Sequence, residues 1–193
     1  MNRLIVIGAG GHGRVVADAA DHPVVFLDDN LNLEGVIGSI HQLEEIKEKG
    51  DAVVVGIGNN KKRIEVLQGV DQPATIIHKT AVISNSAIIG EGSVVFANVA
   101  VNPYTVIGNG CILNTASTID HDCILGSGVH ISPGAHLGGN VIIGDCSWVG
   151  IGASVKHGVT IGKNVMVGAG AAVVSDISDG VTVVGVPAKV QKT

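Results

Sequence analysis

Aromatic side chains are scarce in this chain of 193 residues, which has two Phe, one Tyr and one Trp, and charged residues make up only 15% of it. A compact core must then be filled by many small aliphatic groups in regular layers, which points to a repeat. A basic excess is also missing: 12 Lys+Arg stand against 17 Asp+Glu, a balance of −5, so no concentrated positive patch invites nucleic acid. The three cysteines, Cys111, Cys123 and Cys146, are odd in number and fit no metal-finger spacing, so reduced thiols in a cytoplasmic protein are expected. No stretch of about 18 uncharged apolar residues occurs, which argues against a membrane span. The opening MNRLIVIGAGG lacks a small-residue cleavage site, which argues against a signal peptide. Only five prolines and no recurring Gly-X-Y accompany the 28 glycines, so glycine at about twice the usual frequency does not mean a collagen-like rod. Abundant Val, Ile and Ala argue equally against disorder.

What is present is a period of six. Cut from Ala81, sixteen consecutive blocks run to Asp176 without an insertion, with an aliphatic residue in every third place, from Ile83 and Ile89 to Val167 and Val173. The first place never exceeds valine in size, and glycine holds the fourth place in eight blocks. Short strand, then turn, repeated, is the reading. Three blocks to a coil would stack Ile83, Val101, Ile119, Leu137, Val155 and Val173 in one column, as parallel strands about 4.8 Å apart. Fourth-place glycine is expected to supply a positive φ at the corners.

Residues 1–80 read differently. Strands at Leu4 to Ile7, Val24 to Leu27 and Ala52 to Val55 alternate with helical patterns at Arg14 to Ala20, Leu43 to Lys49 and Lys61 to Leu67, which predicts a small Rossmann-like parallel α/β sheet. Gly8, Gly10 and Gly13 form a G-x-G-x-x-G placed between a strand and a helix, where backbone amides can meet a phosphate. Asp28 follows at the second strand's end, near the usual ribose position. The domain is too short for a full dinucleotide crevice, so a nucleotide sugar fits better than NAD. His12, inside the glycine loop, either touches the ligand or caps the helix.

His121 stands in the fifth, outward place of its block, between Asp120 and Asp122, either of which could orient its ring and keep it basic. One coil on, at 121 + 18, Gly139 can present a bare N–H as an oxyanion donor. Cys111 and Cys123 hold inward first places and act as small hydrophobes, so no thiol intermediate is expected.

Five ordered segments, Gly10-Gly11-His12-Gly13, Phe26-Leu27-Asp28-Asp29, Ile57-Gly58-Asn59-Asn60, Asn114 to Asp122 and Gly185-Val186-Pro187-Ala188-Lys189, make the chain resemble the sugar O- or N-acyltransferase family of hexapeptide-repeat transferases. The resemblance implies an N-terminal α/β domain at 1–80, followed at 81–193 by an all-β left-handed parallel β-helix with a C-terminal capping tail. It implies His121 as general base with Asp122 as its partner. Asn114, His130 and Gly139 would form the acceptor and thioester site. Gly10, Gly11, His12, Asp28, Asp29, Gly58 and Asn59 would bind the nucleotide sugar, and Ile151 and Ala169 the acetyl-CoA, between subunits of a homotrimer. No metal is implied. The expected activity is acetyl-CoA-dependent N-acetylation of a nucleotide-linked amino sugar, with UDP preferred, in bacterial surface glycan synthesis. Alternatives are a sialic acid O-acetyltransferase, for which Arg14, Lys61, Lys62 or Arg63 would meet the carboxylate, and a non-enzymatic nucleotide-sugar-binding trimer. The sequence leaves the base, the sugar and N- against O-transfer open.

Overall fold

In the computed structural model, which describes residues 2–191, the chain begins with a four-stranded parallel sheet. Its strands are β1 (Leu4–Ile7), β2 (Val24–Leu27), β3 (Val36–Gly38) and β4 (Ala52–Val55), in the order β3-β2-β1-β4. β1 is flanked by β2 and β4 and covered on both faces, which is why it is a continuous apolar run and not an alternation. Helix α1 (Gly11–Ala19) follows β1, α2 (Leu43–Ile46) follows β3, and α3 (Asn60–Leu67) follows β4. The three expected strands form with the expected bounds, whereas the helices differ at their ends. α1 begins inside the glycine loop, three residues before Arg14. α2 stops at Ile46 because Lys47 turns to extended geometry, and a 3-10 turn at Ile40–Gln42 precedes it. β3 was not expected; three residues are too few for a readable alternation.

From Ile76 the chain climbs as a triangular β-helix of two-residue strands joined by four-residue turns. Its three faces carry eight, six and five strands. The first face opens with Ile76–Ile77, paired to Val94–Val95, so the segment leading out of the α/β sheet is already part of the prism. Residues 18 apart pair in parallel on every face, and Ile83, Val101, Ile119, Leu137, Val155 and Val173 form one continuous column on the second. First- and third-place side chains fill the interior. Small polar groups there find carbonyl partners on the next coil, as Ser93 Oγ donates to Gly108 O at 3.0 Å and Cys111 Sγ takes the equivalent role to Gly126 O at 3.1 Å, whereas Ser117 Oγ is buried without one.

The glycines divide into two devices, and one departs from expectation. Positive φ falls at the sixth place, at Gly92, Gly110, Gly128 and Gly158 and also at Asn98, Ala116, Asp122 and Asn140. The fourth-place glycines do not have it; they are required because neighbouring coils touch there. A Cβ on Gly108 would lie 2.7 Å from the carbonyl carbon of Gly126 and from the nitrogen of Ser127.

The two parts share a core. One face of the sheet packs Leu4, Val6 and Val54 on Ile76, Val94, Phe96 and Ile112 of the prism, and the other packs Ile5, Ile7, Val53 and Val55 against Leu43 and Leu67 of α2 and α3. The second-place residues Val94 and Ile112 on the first face are therefore buried, each worth about 1.5–3 kcal/mol. Their counterparts on the third face, Ile88, Val106, Ile124 and Ile142, are 61%, 40%, 51% and 44% exposed.

Candidate active site

The turn that carries the chain from the second face to the third holds His121 and Asp122. Asp122 occupies the sixth place with φ 57°, a left-handed geometry that turns its carboxylate back to the preceding imidazole. His121 Nδ1 and Asp122 Oδ2 are 2.7 Å apart. Asp120 does something else: its Oδ1 accepts from Asn102 Nδ2 at 2.7 Å and from the His121 N–H at 2.8 Å, bracing the backbone of the turn. The hydrogen bond to Asp122, with the charges of both aspartates, raises the His121 pKa above the ordinary imidazole value.

Gly139 lies one coil on, where any side chain would collide with the imidazole: a Cβ there would be 2.6 Å from His121 Cε1 and Nε2. At equivalent fifth places the amide is capped by a carboxylate or amide side chain, as Ser127 N is by Asp145 Oδ1 at 3.0 Å and Glu91 N by Asn109 Oδ1 at 3.0 Å. Among the described residues the Gly139 N–H has no such acceptor. A free backbone donor thus lies beside a carboxylate-oriented base. Burial meanwhile pushes the Cys111 thiol up to about 12 and raises that of Cys123, which keeps both protonated.

A second cluster occupies the seam between the α/β sheet and the first face. His130 stacks on Trp148 with ring centroids 4.7 Å apart, and Trp148 Nε1 donates to Ser132 Oγ at 2.6 Å. Asn114 Oδ1 accepts the Thr115 N–H, so its Nδ2 donates to His130 Nε2, at 3.2 Å. Nδ1 of His130 therefore carries the proton in the neutral ring, and it is buried without a partner. His12 approaches from the glycine loop, edge-on to Phe96 at 5.5 Å and 6.5 Å from the His130 ring, with its own Nε2 buried and unpaired. Burial, aided by the Arg63 charge, lowers the pKa of His12 to about 4 and that of His130 to about 3, so both rings are neutral at pH 7.

Gly10, Gly11, His12, Asp28, Asp29, Gly58 and Asn59 gather at the carboxyl ends of β1, β2 and β4, the ligand edge of such a sheet. A Cβ on Gly10 or Gly11 would meet nothing within 4 Å, so the loop leaves open space where side chains would stand. Gly13 serves packing: a side chain there would run into the carbonyl of Gly8. Asp28 staples the loop, accepting from Ala9 N and Asn30 N at 2.8 Å each. Asn59 Oδ1 caps α3 through Lys62 N at 3.0 Å. Arg63, suggested above as a partner for a substrate carboxylate, is instead fully buried with its donors on protein oxygens.

Within one chain these groups do not all meet. His121, Asp122 and Gly139 stand at the corner between the second and third faces, whereas Asn114, Ile151 and Ala169 stand at the corner between the first and second. Phe96, Ser132 and Trp148 were not singled out from sequence. The one available signal was that the lone tryptophan falls in the second-place column of the first face.

The family model described as PglD N-terminal domain matches residues 3–70, and that described as bacterial transferase hexapeptide (six repeats) matches residues 140–174. A curated relative, UDP-N-acetylbacillosamine N-acetyltransferase of Bacillus subtilis (strain 168), is 34% identical over 113 residues. That match takes in 50% of this chain and about half, 52%, of the relative's length. Among solved structures, the acetyltransferase domain of PglB from Neisseria gonorrhoeae FA1090 in complex with acetyl coenzyme A is 45% identical, with a TM-score of 0.91 over 98% of this chain and 99% of that one. PerB from Caulobacter crescentus in complex with CoA and GDP-perosamine is 38% identical, with a TM-score of 0.91 over 98% and 97%.

Proposed function

Because the chain belongs to the sugar O-/N-acyltransferase family of hexapeptide-repeat transferases, with its α/β sheet and left-handed β-helix, we propose that it carries acetyl from acetyl-CoA to the amine of a nucleotide-linked amino sugar. The observation that carries the reading is the His121–Asp122 pair lying over Gly139. In its free-base form the amine nitrogen attacks the thioester carbonyl carbon, forming the C–N bond as His121 Nε2 takes its proton. The Gly139 N–H steadies the oxyanion. Collapse breaks the C–S bond, and the thiolate leaves with the proton returned by the imidazolium, giving N-acetyl sugar and CoA. The carboxylate of Asp122 holds Nδ1–H, so that Nε2 faces the substrate as the acceptor.

The nucleotide rests on Gly10, Gly11 and the turn at Gly58, with Asp29 and the Asp28-stapled loop around it, and the unpaired nitrogens of His12 and His130 take polar groups of the sugar. UDP is the nucleotide we assign, as in the name of the Bacillus relative. Acetyl-CoA runs along the Ile151 and Ala169 corner. Since that corner and the His121 corner are separated by the second face, each complete site is assigned to the junction of two copies in a cyclic homotrimer. The exposed aliphatic column Ile88, Val106, Ile124 and Ile142 supports such packing. We place the reaction in the cytoplasm. Three free thiols suit that compartment, and no helix among the described residues is long and apolar enough to cross a membrane.

The test is release of free thiol from acetyl-CoA across UDP-, GDP- and CMP-linked amino sugars. Turnover with one of them is expected; nucleotide binding without CoA release from any would leave a binding protein, not an enzyme.

A further inference from the structure

Among the described residues Arg63 is the largest fully buried side chain, and no carboxylate answers it. Its guanidinium is held entirely by neutral oxygens. Nε donates to Gly110 O at 2.7 Å, Nη2 to Gly128 O and Asn60 Oδ1 at 2.9 Å each, and Nη1 to Ile57 O and Gly58 O at 3.0 and 3.1 Å. Asn60 Nδ2 continues the set to Cys146 O at 3.1 Å. Gly110, Gly128 and Cys146 are successive sixth-place corners, 18 residues apart, so α3 is bolted to three coils.

Hydrogen bonding is therefore complete while charge is not. The ionisable side chains around Arg63 are Cys111 and Cys146, both kept protonated by burial, and His12 and His130, both neutral. A buried cation without a counter-charge is costly, and its retention calls for a role. The geometry supplies one. A trans peptide is planar, so its C=O and N–H point in opposite directions. With the carbonyls of Ile57 and Gly58 drawn to Arg63, the N–H groups of Gly58 and Asn59 point away from it. Neither has an acceptor among the described residues. That turn adjoins the glycine loop, since a Cβ on Gly58 would meet His12 Cβ at 3.7 Å.

We propose that Arg63 is a positioning residue for the nucleotide diphosphate: it acts through the Ile57 and Gly58 peptides, whose N–H groups it orients and polarises, and the bound diphosphate supplies the missing counter-charge. Chains of hydrogen bonds polarise one another, so a cation behind the carbonyl strengthens the donor in front. The role rests on the nucleotide-sugar reading above. It differs from a merely structural clamp in acting on the phosphates and not on the nucleoside.

The experiment compares Arg63→Met and Arg63→Lys with the unchanged protein by calorimetric binding of UDP, GDP and dTDP and of the matching nucleosides. Arg63→Met should weaken the preferred diphosphate about tenfold or more while shifting the nucleoside less than about threefold; Arg63→Lys, which keeps the charge, should stay within about threefold for both. A folded Met variant with unchanged diphosphate affinity, or equal losses for diphosphate and nucleoside, overturns the proposal. If the Met variant does not fold, the Lys variant decides: a folded Lys protein that loses the diphosphate about tenfold overturns it. Unchanged protein that binds none of the three diphosphates overturns the nucleotide reading and this role with it.

Discussion

The two glycine devices of the prism should fail by different amounts when a single methyl is added. At Gly108 the new Cβ would lie 2.7 Å from Gly126 C and Ser127 N, about 0.7 Å inside ordinary contact, and the obstacle is backbone that cannot rotate away. Parting the coils by that much stretches the Gly108 N→Leu125 O bond from 2.8 Å beyond hydrogen-bonding range. One lost ladder bond at about 1 kcal/mol, with overpacking of about 1–3, puts Gly108→Ala near 3 kcal/mol. Gly158 is the counter-case: φ is 71° and a Cβ would meet nothing within 4 Å, so Gly158→Ala bears only left-handed strain, about 1–2 kcal/mol. Gly158→Asn should cost less still, because Asn140 holds that geometry one coil earlier. For a chain of this size, thermal unfolding followed by circular dichroism should give losses of about 10 °C for Gly108→Ala, about 4 °C for Gly158→Ala and under about 2 °C for Gly158→Asn. Equal losses for the two alanine variants would refute the division of the glycines.

Further outcomes follow from the site and the faces. His121→Ala should lower turnover by about 10²–10⁴-fold with the nucleotide-sugar KM unchanged, and near-normal turnover would remove His121 from the mechanism. The free imidazole is the active form, so kcat/KM should climb with pH through a midpoint above the usual histidine value, and Asp122→Asn should move that midpoint down. His12 and His130 stay neutral when folded. As pH falls through 6.5 the unfolded chain gains protons that the folded one refuses, so stability should fall by about 3 kcal/mol between pH 6.5 and 5 and be insensitive to these groups above about pH 7.5; urea melts of His130→Phe should lose about half of the slope. Ile142→Lys on the third face should yield monomers by sedimentation and abolish turnover, whereas a trimer that survives it would move the interface to another face.

The prism was legible because one rule repeats along its length: the aliphatic third place and the small first place recur wherever the chain turns inward. His121 was legible because a fifth-place residue points outward and two acids flank it. The choice between those acids was not, since it depends on the left-handed backbone at Asp122 and on Asn102, 18 residues before Asp120. Corner glycine was misassigned for a similar reason. The left-handed place admits Asn, Asp, Ala and Tyr as well as glycine, so glycine is diluted there, whereas contact between coils admits no substitute where they touch. The seam cluster had no local pattern at all, because Arg63 meets Gly128, and His12 meets Phe96 and His130, across stretches of chain far longer than any motif.

The last coil ends differently on each side. Lys189–Val190 lies antiparallel on the first face, Ala172 exchanges hydrogen bonds with Gly185 and Ala188 on the second, and Ile177 bridges Ile161 on the third. The opposite end simply starts, at Ile77, Val82 and Ile88, with no strand beneath among the described residues. A filament grows only when the top of one unit can accept the bottom of the next. With one end stopped on all three sides, stacking can go no further than two prisms meeting open end to open end, so the molecule keeps its repeat inside one chain and denies it to the crowd around it.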